Sequence, residues 1–329
     1  MLFRLVLMVK LDLKDRKIIY HLNLDSRQSY RLIGRKVGLS KDAVVSRVKK
    51  LQEKKILKKF ITHIDEYKLG YTHIRFYLNY QYPNPAIKKK IIEYFMNFKY
   101  CRHVCSCKGE YEFILIMAVK NIQEFYKSWE LVLNEYREYF SNYEFSIYFQ
   151  EKRYKYSFLL EEDKNWVDKR LKYTLFGNSD IINIDNLDLE ILKLLSINAR
   201  LKSIDIASKL NSSASVVSSR IKKLIENDII KGFTIELDFA RFEYKQYKAN
   251  LLLKKHKKLN DIINFIEKNP NLVAIYKTIG YVDIELVFNV RNIEEFFKIM
   301  EELTEKFPDI IKSYTYMSDL DTHKFEYFH

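Results

Sequence analysis

Proline and glycine are scarce in this chain, four and seven among 329 residues. Low-complexity linkers, collagen-like repeats and long disordered tracts need far more of both, so a packed globular protein is expected. Cysteine is nearly missing too. The three present all lie in 101–107, CRHVCSC, and an odd number in one short run is no disulfide framework. With His103 the run has the look of a metal cluster. Alternate residues on a strand sit about 6.6 Å apart, however, so four of them cannot converge on one zinc at about 2.0–2.3 Å. No metal is expected. Long apolar runs are also lacking. The opening MLFRLVLMVK is too short to span a bilayer, is broken by Arg4 and has no small-residue cleavage site. It reads as a short strand or an extension, with Met8 as an alternative start. A cytoplasmic protein without membrane contact is the expectation. Acidic residues are the minority, 43 against 57 basic ones, and the net charge of +14 favours a polyanionic partner. There is no glycine-rich phosphate loop, no paired carboxylates in one motif and no nucleophile beside a histidine. These absences argue against an enzyme and against a resident cofactor.

What is present centres on 29–60, SYRLIGRKVGLSKDAVVSRVKKLQEKKILKKF. Leu32, Ile33 and Val37 recur at helical spacing, and after Gly38-Leu39-Ser40 so do Val44, Val48 and Leu51. Gly38 suits the left-handed end of a helix, and Ser40 is placed to cap the next one, with Asp42 in its first turn. Two helices around a tight turn, the second with a basic outer face, form a helix-turn-helix of the kind that enters a DNA major groove. The helix over 11–24 before it and the extended KKFITHID after it complete a winged helix-turn-helix.

The same pattern recurs 173 residues later, over 202–233. Arg27 corresponds to Arg200, Val44 to Val217, Ser46-Arg47 to Ser219-Arg220 and Phe60 to Phe233. One ungapped offset holds at buried and exposed positions alike, which is the mark of an internal duplication. Each copy continues with strand, helix, two strands, helix and strand. That order predicts a ferredoxin-like βαββαβ unit, with helices on one face of an antiparallel sheet. The fold class is therefore α+β: a winged helix-turn-helix over 1–66, a ferredoxin-like ligand domain over 67–150, a charged and partly helical linker over 151–183, a second winged helix-turn-helix over 184–240 and a second ferredoxin-like domain over 241–329.

Expected DNA contacts are the outward residues of the second helices: Lys41, Asp42, Ser46, Arg47, Lys49 and Lys50 in copy one, and Ser215, Ser219, Arg220, Lys222 and Lys223 in copy two. Arg47 and Arg220 suit guanine O6/N7 or a phosphate, and Lys50 and Lys223 suit phosphate. Lys58 and Lys59 in the first wing also suit phosphate. Ala214 and Ser215 stand where copy one has Lys41 and Asp42, so unlike half-sites are expected, with copy one supplying more of the salt-dependent affinity.

The runs VGLSKDAVVSRVKKLQEKKIL and SSASVVSSRIKKLIENDIIKGF resemble the Lrp/AsnC (feast/famine) family of prokaryotic transcription regulators. A Gly-x-Tyr-Asp type turn adds to the resemblance, standing here as Gly109-Glu110-Tyr111-Glu112 and Gly280-Tyr281-Val282-Asp283. Each copy departs once, at Glu112 and at Val282, and Asn211 replaces the usual glycine of the second helix-turn-helix. The resemblance implies double-stranded DNA as partner, ligand domains paired face to face and an amino-acid effector near the glycine turn. It puts Gly109, Glu112, Thr278, Gly280 and Asp283 in a ligand site. A tandem chain is able to form that pair within itself, as an intramolecular pseudo-dimer, or between chains as a further homo-oligomer. Sirohaem decarboxylases share the domain order, sometimes as fused pairs. On that alternative, His73, Arg75, Arg102 and His103 supply counter-charges to a polycarboxylate substrate.

Overall fold

The computed structural model describes residues 10–160, 172–177, 180–326 and 328. The opening nine residues and most of the charged stretch expected to be helical within the linker lie outside the described residues. Helix α1 (Leu13–Leu24) starts at Asp12, whose side chain accepts from the Asp15 N–H. Helix α2 (Tyr30–Val37) is capped by Ser29 and ends at Gly38, which is left-handed with φ 69°. Ser40 caps α3 (Lys41–Glu53) by accepting from the Ala43 N–H. In copy two the order is α6 (Asn186–Ile197), α7 (Ser203–Lys209) and α8 (Ala214–Glu226). Asn211 takes φ 49° there, tolerable for a short polar side chain that bonds locally.

The extended segments β1 (Leu57–Ile64) and β7 (Ile230–Leu237) are not two separate wings. They pair with each other, antiparallel, with Phe60 opposite Ile235 and Thr62 opposite Phe233. The wing strand expected in each copy is thus paired with that of the other copy. The ribbon is reinforced symmetrically: Ser26 N–H donates to Phe233 O and Ala199 N–H to Phe60 O, at 2.9 and 2.8 Å. Arg27 reaches the Leu201 carbonyl at 3.0 Å, and Arg200 answers with Ser26 O and with Gln28 O at 3.4 Å. Each guanidinium also lies over an aromatic ring, Arg27 over Phe233 and Arg200 over Tyr30. The duplicated arginine is thus a reciprocal clasp between the two helix-turn-helix units.

The two βαββαβ units do form as the element order requires. Copy one has β2 (Thr72–Tyr80), α4 (Pro85–Asn97), β3 (Cys101–Gly109), β4 (Phe113–Val119), α5 (Ile122–Tyr136) and β5 (Phe140–Tyr154). Copy two has β8 (Lys245–Leu253), α9 (Leu259–Ile266), β9 (Leu272–Gly280), β10 (Ile284–Val290), α10 (Ile293–Lys306) and β11 (Ile311–Phe325). Their sheets do not merely stack. β11 pairs with β3, β5 pairs with β9, and β2 pairs with β5, which closes eight strands into one antiparallel ring. Closure removes the open edges that single units would expose. The last strands are 15 residues long because each serves its own sheet first and its neighbour's afterwards. A short β6 (Tyr173–Gly177) from the linker continues the sheet beyond β5, an element with no counterpart in the sequence reading.

The helices pack outside the ring over two similar apolar cores, one around Phe76, Phe95, Phe113 and Trp129, the other around Leu286, Phe288, Phe296 and Met300. A register shift between Cys101 and His103 changes the cysteine pattern. Cys101 joins the helix-side core, whereas Cys105 and Cys107 join Tyr77, Ile114 and Met317 in a separate buried cluster. Strand alternation alone would have put all three on one face. Among the described residues no helix is long and apolar enough to cross a membrane.

Candidate DNA interface and ligand turns

The outer face of α3 carries Lys41, Asp42, Ser46, Lys49 and Lys50, all exposed, while Val44, Val48 and Leu51 are buried against α1 and α2. On α8 the exposed row is Ser215, Ser219, Lys222 and Lys223, above buried Val217, Ile221 and Leu224. Lys49 and Lys222 each lean towards a glutamate four residues on, at 3.8 and 3.6 Å. Such exposed pairs contribute only a few tenths of a kcal/mol, about 0.3–0.5, so both ammonium groups remain open to a phosphate.

The two arginines each bond a pair of aspartates. Arg47 bonds the carboxylates of Asp12 and Asp15, both at 2.7 Å. Arg220 repeats this with Asp185 at 2.5 Å and Asp188 at 3.2 Å. Hydrogen bonds that it donates to both aspartates hold the Arg47 guanidinium even more firmly charged than usual. The first helix thus engages the group that the sequence assigns to a guanine or a phosphate. Arginine is suited to this because its fork engages two carboxylates at once. Lys58 stands 3.8 Å from Glu236 of the opposite ribbon strand, and Lys59 is exposed. Its copy-two neighbour Lys231 is drawn inward to Asp228 and to Asp65 at 3.6 Å.

The glycine turns serve the ring. At Gly109, φ is 133° and an added Cβ would lie 2.4 Å from the Tyr316 carbonyl oxygen of β11. At Gly280, φ is 124° and the added atom would lie 2.6 Å from the Phe145 carbonyl of β5. Both positions are where one copy's strand closes on the other's. Their acidic partners play matching parts: Glu112 accepts from the Tyr80 N–H at 3.0 Å and from Lys88, and Asp283 accepts from the Leu253 N–H at 2.7 Å. Thr278 donates to the Val282 carbonyl within its own turn. Of the five expected ligand residues only Gly109 borders the large cleft between the ribbon and the ring. Replacing Gly109 by alanine is expected to destabilise the chain by about 1–3 kcal/mol through backbone strain and the carbonyl clash. Thermal unfolding checks this; an unchanged midpoint would count against a packing role for the glycine.

A residue set that sequence reasoning did not assemble lies inside the ring. Arg75 and Glu285 form a fully buried ion pair between the two copies. Tyr77 donates to Glu285, and Tyr148 does so at 3.0 Å. Arg75 also lies beside the stacked rings of Tyr148 and Tyr276, about 5 Å from each. Burial alone would lower the Arg75 pKa; Glu285 and the tyrosines outweigh it and keep the group charged. Nearby, Glu66 joins His73 at 2.8 Å and Arg102 at 3.1 Å. Burial would raise its carboxyl, but those two partners hold it below the usual glutamate range. His73, Arg75, Arg102 and His103 all border the same cleft. The alternation of polar with apolar residues along β2 was the available signal, but Glu285, the partner of Arg75, sits 210 residues away.

Comparison with known proteins agrees with this architecture. An AsnC-type helix-turn-helix domain matches residues 11–52, and a winged helix-turn-helix DNA-binding domain matches residues 184–231. An HTH-type transcriptional regulator of Pyrococcus furiosus is 30% identical over 122 residues, 37% of this chain and 82% of that protein. The HTH-type transcriptional regulator LysM of Saccharolobus solfataricus is 32% identical over 123 residues, 37% of this chain and 84% of that protein. The crystal structure of the sirohaem decarboxylase NirDL shares the fold over 95% of this chain and 92% of its own, with a TM-score of 0.63 at 11% identity. Each of these two regulators thus matches little more than a third of the chain. This chain belongs to the Lrp/AsnC family of transcriptional regulators and carries two of its helix-turn-helix units in one polypeptide.

Proposed function

We propose that the chain is a sequence-specific DNA-binding regulator that acts as its own pseudo-dimer and is modulated by a small molecule. The observation that carries this reading is the pair of outward helix faces, α3 and α8, held by one ribbon and one arginine clasp. Phosphate contacts fall to Lys41, Lys49, Lys50 and Lys59 in copy one and to Lys222 and Lys223 in copy two. Ser46, Ser219, Asp42 and Ser215 are the side chains offered to base edges. Arg47 and Arg220 position α3 and α8 on α1 and α6. Because the two rows differ, the operator has two unlike half-sites, and their spacing is set within one chain rather than by dimerisation. Footprinting across the gene's own upstream region, with and without a panel of amino acids, tests this. A single protected tract with two differing halves at low protein concentration is expected; protection that covers one half-site only, or none, removes the proposal.

A second reading is favoured by the full-length fold likeness to a sirohaem decarboxylase and by the meeting of His73, Arg75, Arg102 and His103 at one cleft. On this reading the four residues face a tetrapyrrole polycarboxylate. Arg75 and Arg102 are already paired with Glu285 and Glu66, which limits the charge they offer. Incubation with sirohaem, followed by visible absorption and mass analysis for loss of carbon dioxide, separates the two readings.

A further inference from the structure

At the seam where β11 of copy two meets β3 of copy one, the pairing is interrupted twice. Asp321 stands opposite Ser106, Thr322 opposite Cys105 and Lys324 opposite Val104. His323 is thus the extra residue of a β-bulge. Bulges re-aim side chains, and they recur beside active sites. Here the bulge brings the His323 ring onto Ser106, with Oγ and Nε2 2.8 Å apart. The other ring nitrogen, Nδ1, lies 3.8 Å from the Asp321 carboxylate. Ser106 and His323 are 217 residues apart in the chain, so no sequence motif joins them.

A serine, a histidine and an aspartate therefore meet in series. Asp321 favours the proton on Nδ1, which leaves Nε2 to accept from the Ser106 hydroxyl. Burial holds His323 below the usual histidine range although Asp321 pulls it up, so the ring is neutral at about pH 7 and able to take a proton. Ser106 is half-buried, and the His323 side chain keeps 19% of its surface exposed. Lys324, the next residue, donates to the Met96 carbonyl oxygen of α4 at 3.0 Å and fixes β11 just past the bulge. Lys108 is exposed two residues along β3 on the same face as Ser106. Neither Ser106 nor His323 borders the cleft between ribbon and ring.

The duplication offers a comparison. At the matching seam of β5 with β9, Gln150 faces Lys277 and Lys152 faces Ile275, and the register runs on unbroken through Arg153. Lys277, Gln150 and Lys152 stand there in place of Ser106, Asp321 and His323. Ring closure itself does not require the set, since the other seam closes without it.

We propose that Ser106, His323 and Asp321 form an acyl-accepting site for a small activated ester, with Ser106 as nucleophile, His323 as its general base and Asp321 as the positioning carboxylate. Ser106 Oγ bonds to the carbonyl carbon and passes its proton to His323 Nε2. The tetrahedral intermediate then breaks its bond to the leaving oxygen, which takes that proton and departs as an alcohol. The acyl group stays on Ser106 as an ester. Water, deprotonated by His323, restores the serine and releases a carboxylic acid. Lys108 supplies positive charge as the carbonyl oxygen becomes anionic. The inference stands apart from the DNA reading and from the second reading at the cleft.

Two probes test it on the full chain. p-Nitrophenyl acetate reports the rate through release of p-nitrophenolate. A fluorophosphonate, which bonds an activated serine, expels fluoride and does not hydrolyse, reports the position through peptide mass mapping. Label on Ser106 is expected, and Ser106→Ala is expected to abolish it. His323→Gln is expected to slow both reactions about a hundredfold. Ser141→Ala, at an exposed serine of β5, is expected to leave both unchanged. His323→Gln retains a group that bonds Ser106, so the test survives should Ser106→Ala not fold. Asp321→Asn is expected to slow the reactions less and to move the His323 midpoint in proton NMR further down, because the carboxylate that raises it is gone. An unmoved midpoint overturns the positioning role of Asp321. No label on Ser106, or labelling of His323→Gln as fast as of the unchanged chain, overturns the site.

Discussion

Replacing Arg75 with methionine is expected to lower stability by about 3–5 kcal/mol, the largest effect of any single change considered for this chain. Arg75 is 2% and Glu285 0% exposed, so removal of the cation strands a carboxylate in the ring with only Tyr77 and Tyr148 as partners among the described residues. The pair also joins the two copies, since Arg75 lies on β2 and Glu285 on β10. Its loss therefore loosens the ring where the halves meet, and not just one domain. The double change Arg75→Met with Glu285→Leu is expected to recover most of the loss, because an apolar pair of similar size carries no uncompensated charge. Denaturant unfolding followed by far-ultraviolet circular dichroism reads both. If the single variant loses less than about 1 kcal/mol, or the double variant is no better, the buried pair is not what holds the halves in register. The symmetric position makes the point from the other side. Copy two carries Lys248 where copy one has Arg75, and copy one carries Ile114 where copy two has Glu285. That half of the interior is filled by Cys105, Cys107, Ile114 and Met317 instead. The duplicated sequence thus diverged inside the ring, and a single chain permits this where two identical subunits would not.

The second large effect concerns DNA. Changing Lys49 and Lys50 to glutamine is expected to reduce the slope of log affinity against log salt by about 1.8, since each lost phosphate contact removes about 0.9. The same change at Lys222 and Lys223 is expected to remove less. The surroundings explain the difference: Lys54, Lys55 and Lys59 are exposed beyond α3, whereas beyond α8 the chain has Asn227 and Asp228, and Lys231 is bonded to Asp228. A phosphate near α8 therefore meets a weaker positive field. Titrations at several salt concentrations on one fixed operator measure both slopes. Equal reductions would show that the two faces grip the backbone alike.

Several features were legible before any coordinates. The Gly38-Leu39-Ser40 turn was readable because glycine's freedom and serine's capping act within four residues. The Asn211 turn was readable for the same reason. The burial of Val44, Val48 and Leu51 followed from helical period alone. The clasp was half legible: the repeat singled out Arg27 and Arg200 as equivalent, but nothing in their spacing showed that each bonds the other copy's backbone. The bonds of Arg47 were not legible, because an outward arginine on a reading helix and an arginine engaged by the first helix of its unit have the same sequence pattern. Asp12 and Asp15 decide between them, and they lie 35 and 32 residues away. The glycine turns were ambiguous in a similar way. A positive φ at a β-turn and a close approach by a foreign strand both demand glycine, and only the register of β3 on β11 and of β9 on β5 shows which applies.

The sequence by itself determined the local elements, the duplication, the family and the basic outer faces, because each depends on side-chain type at short spacing or on an offset that is counted directly. Tertiary structure alone decided that β1 and β7 pair into one ribbon, that eight strands close into one ring, that the arginines of α3 and α8 bond aspartates at the start of α1 and α6, and that a cleft opens between ring and ribbon. Those outcomes depend on contacts between residues far apart in the chain. The free energy that selects among them comes from strand register and from burying charge beside its partner, quantities that no local pattern of residues encodes.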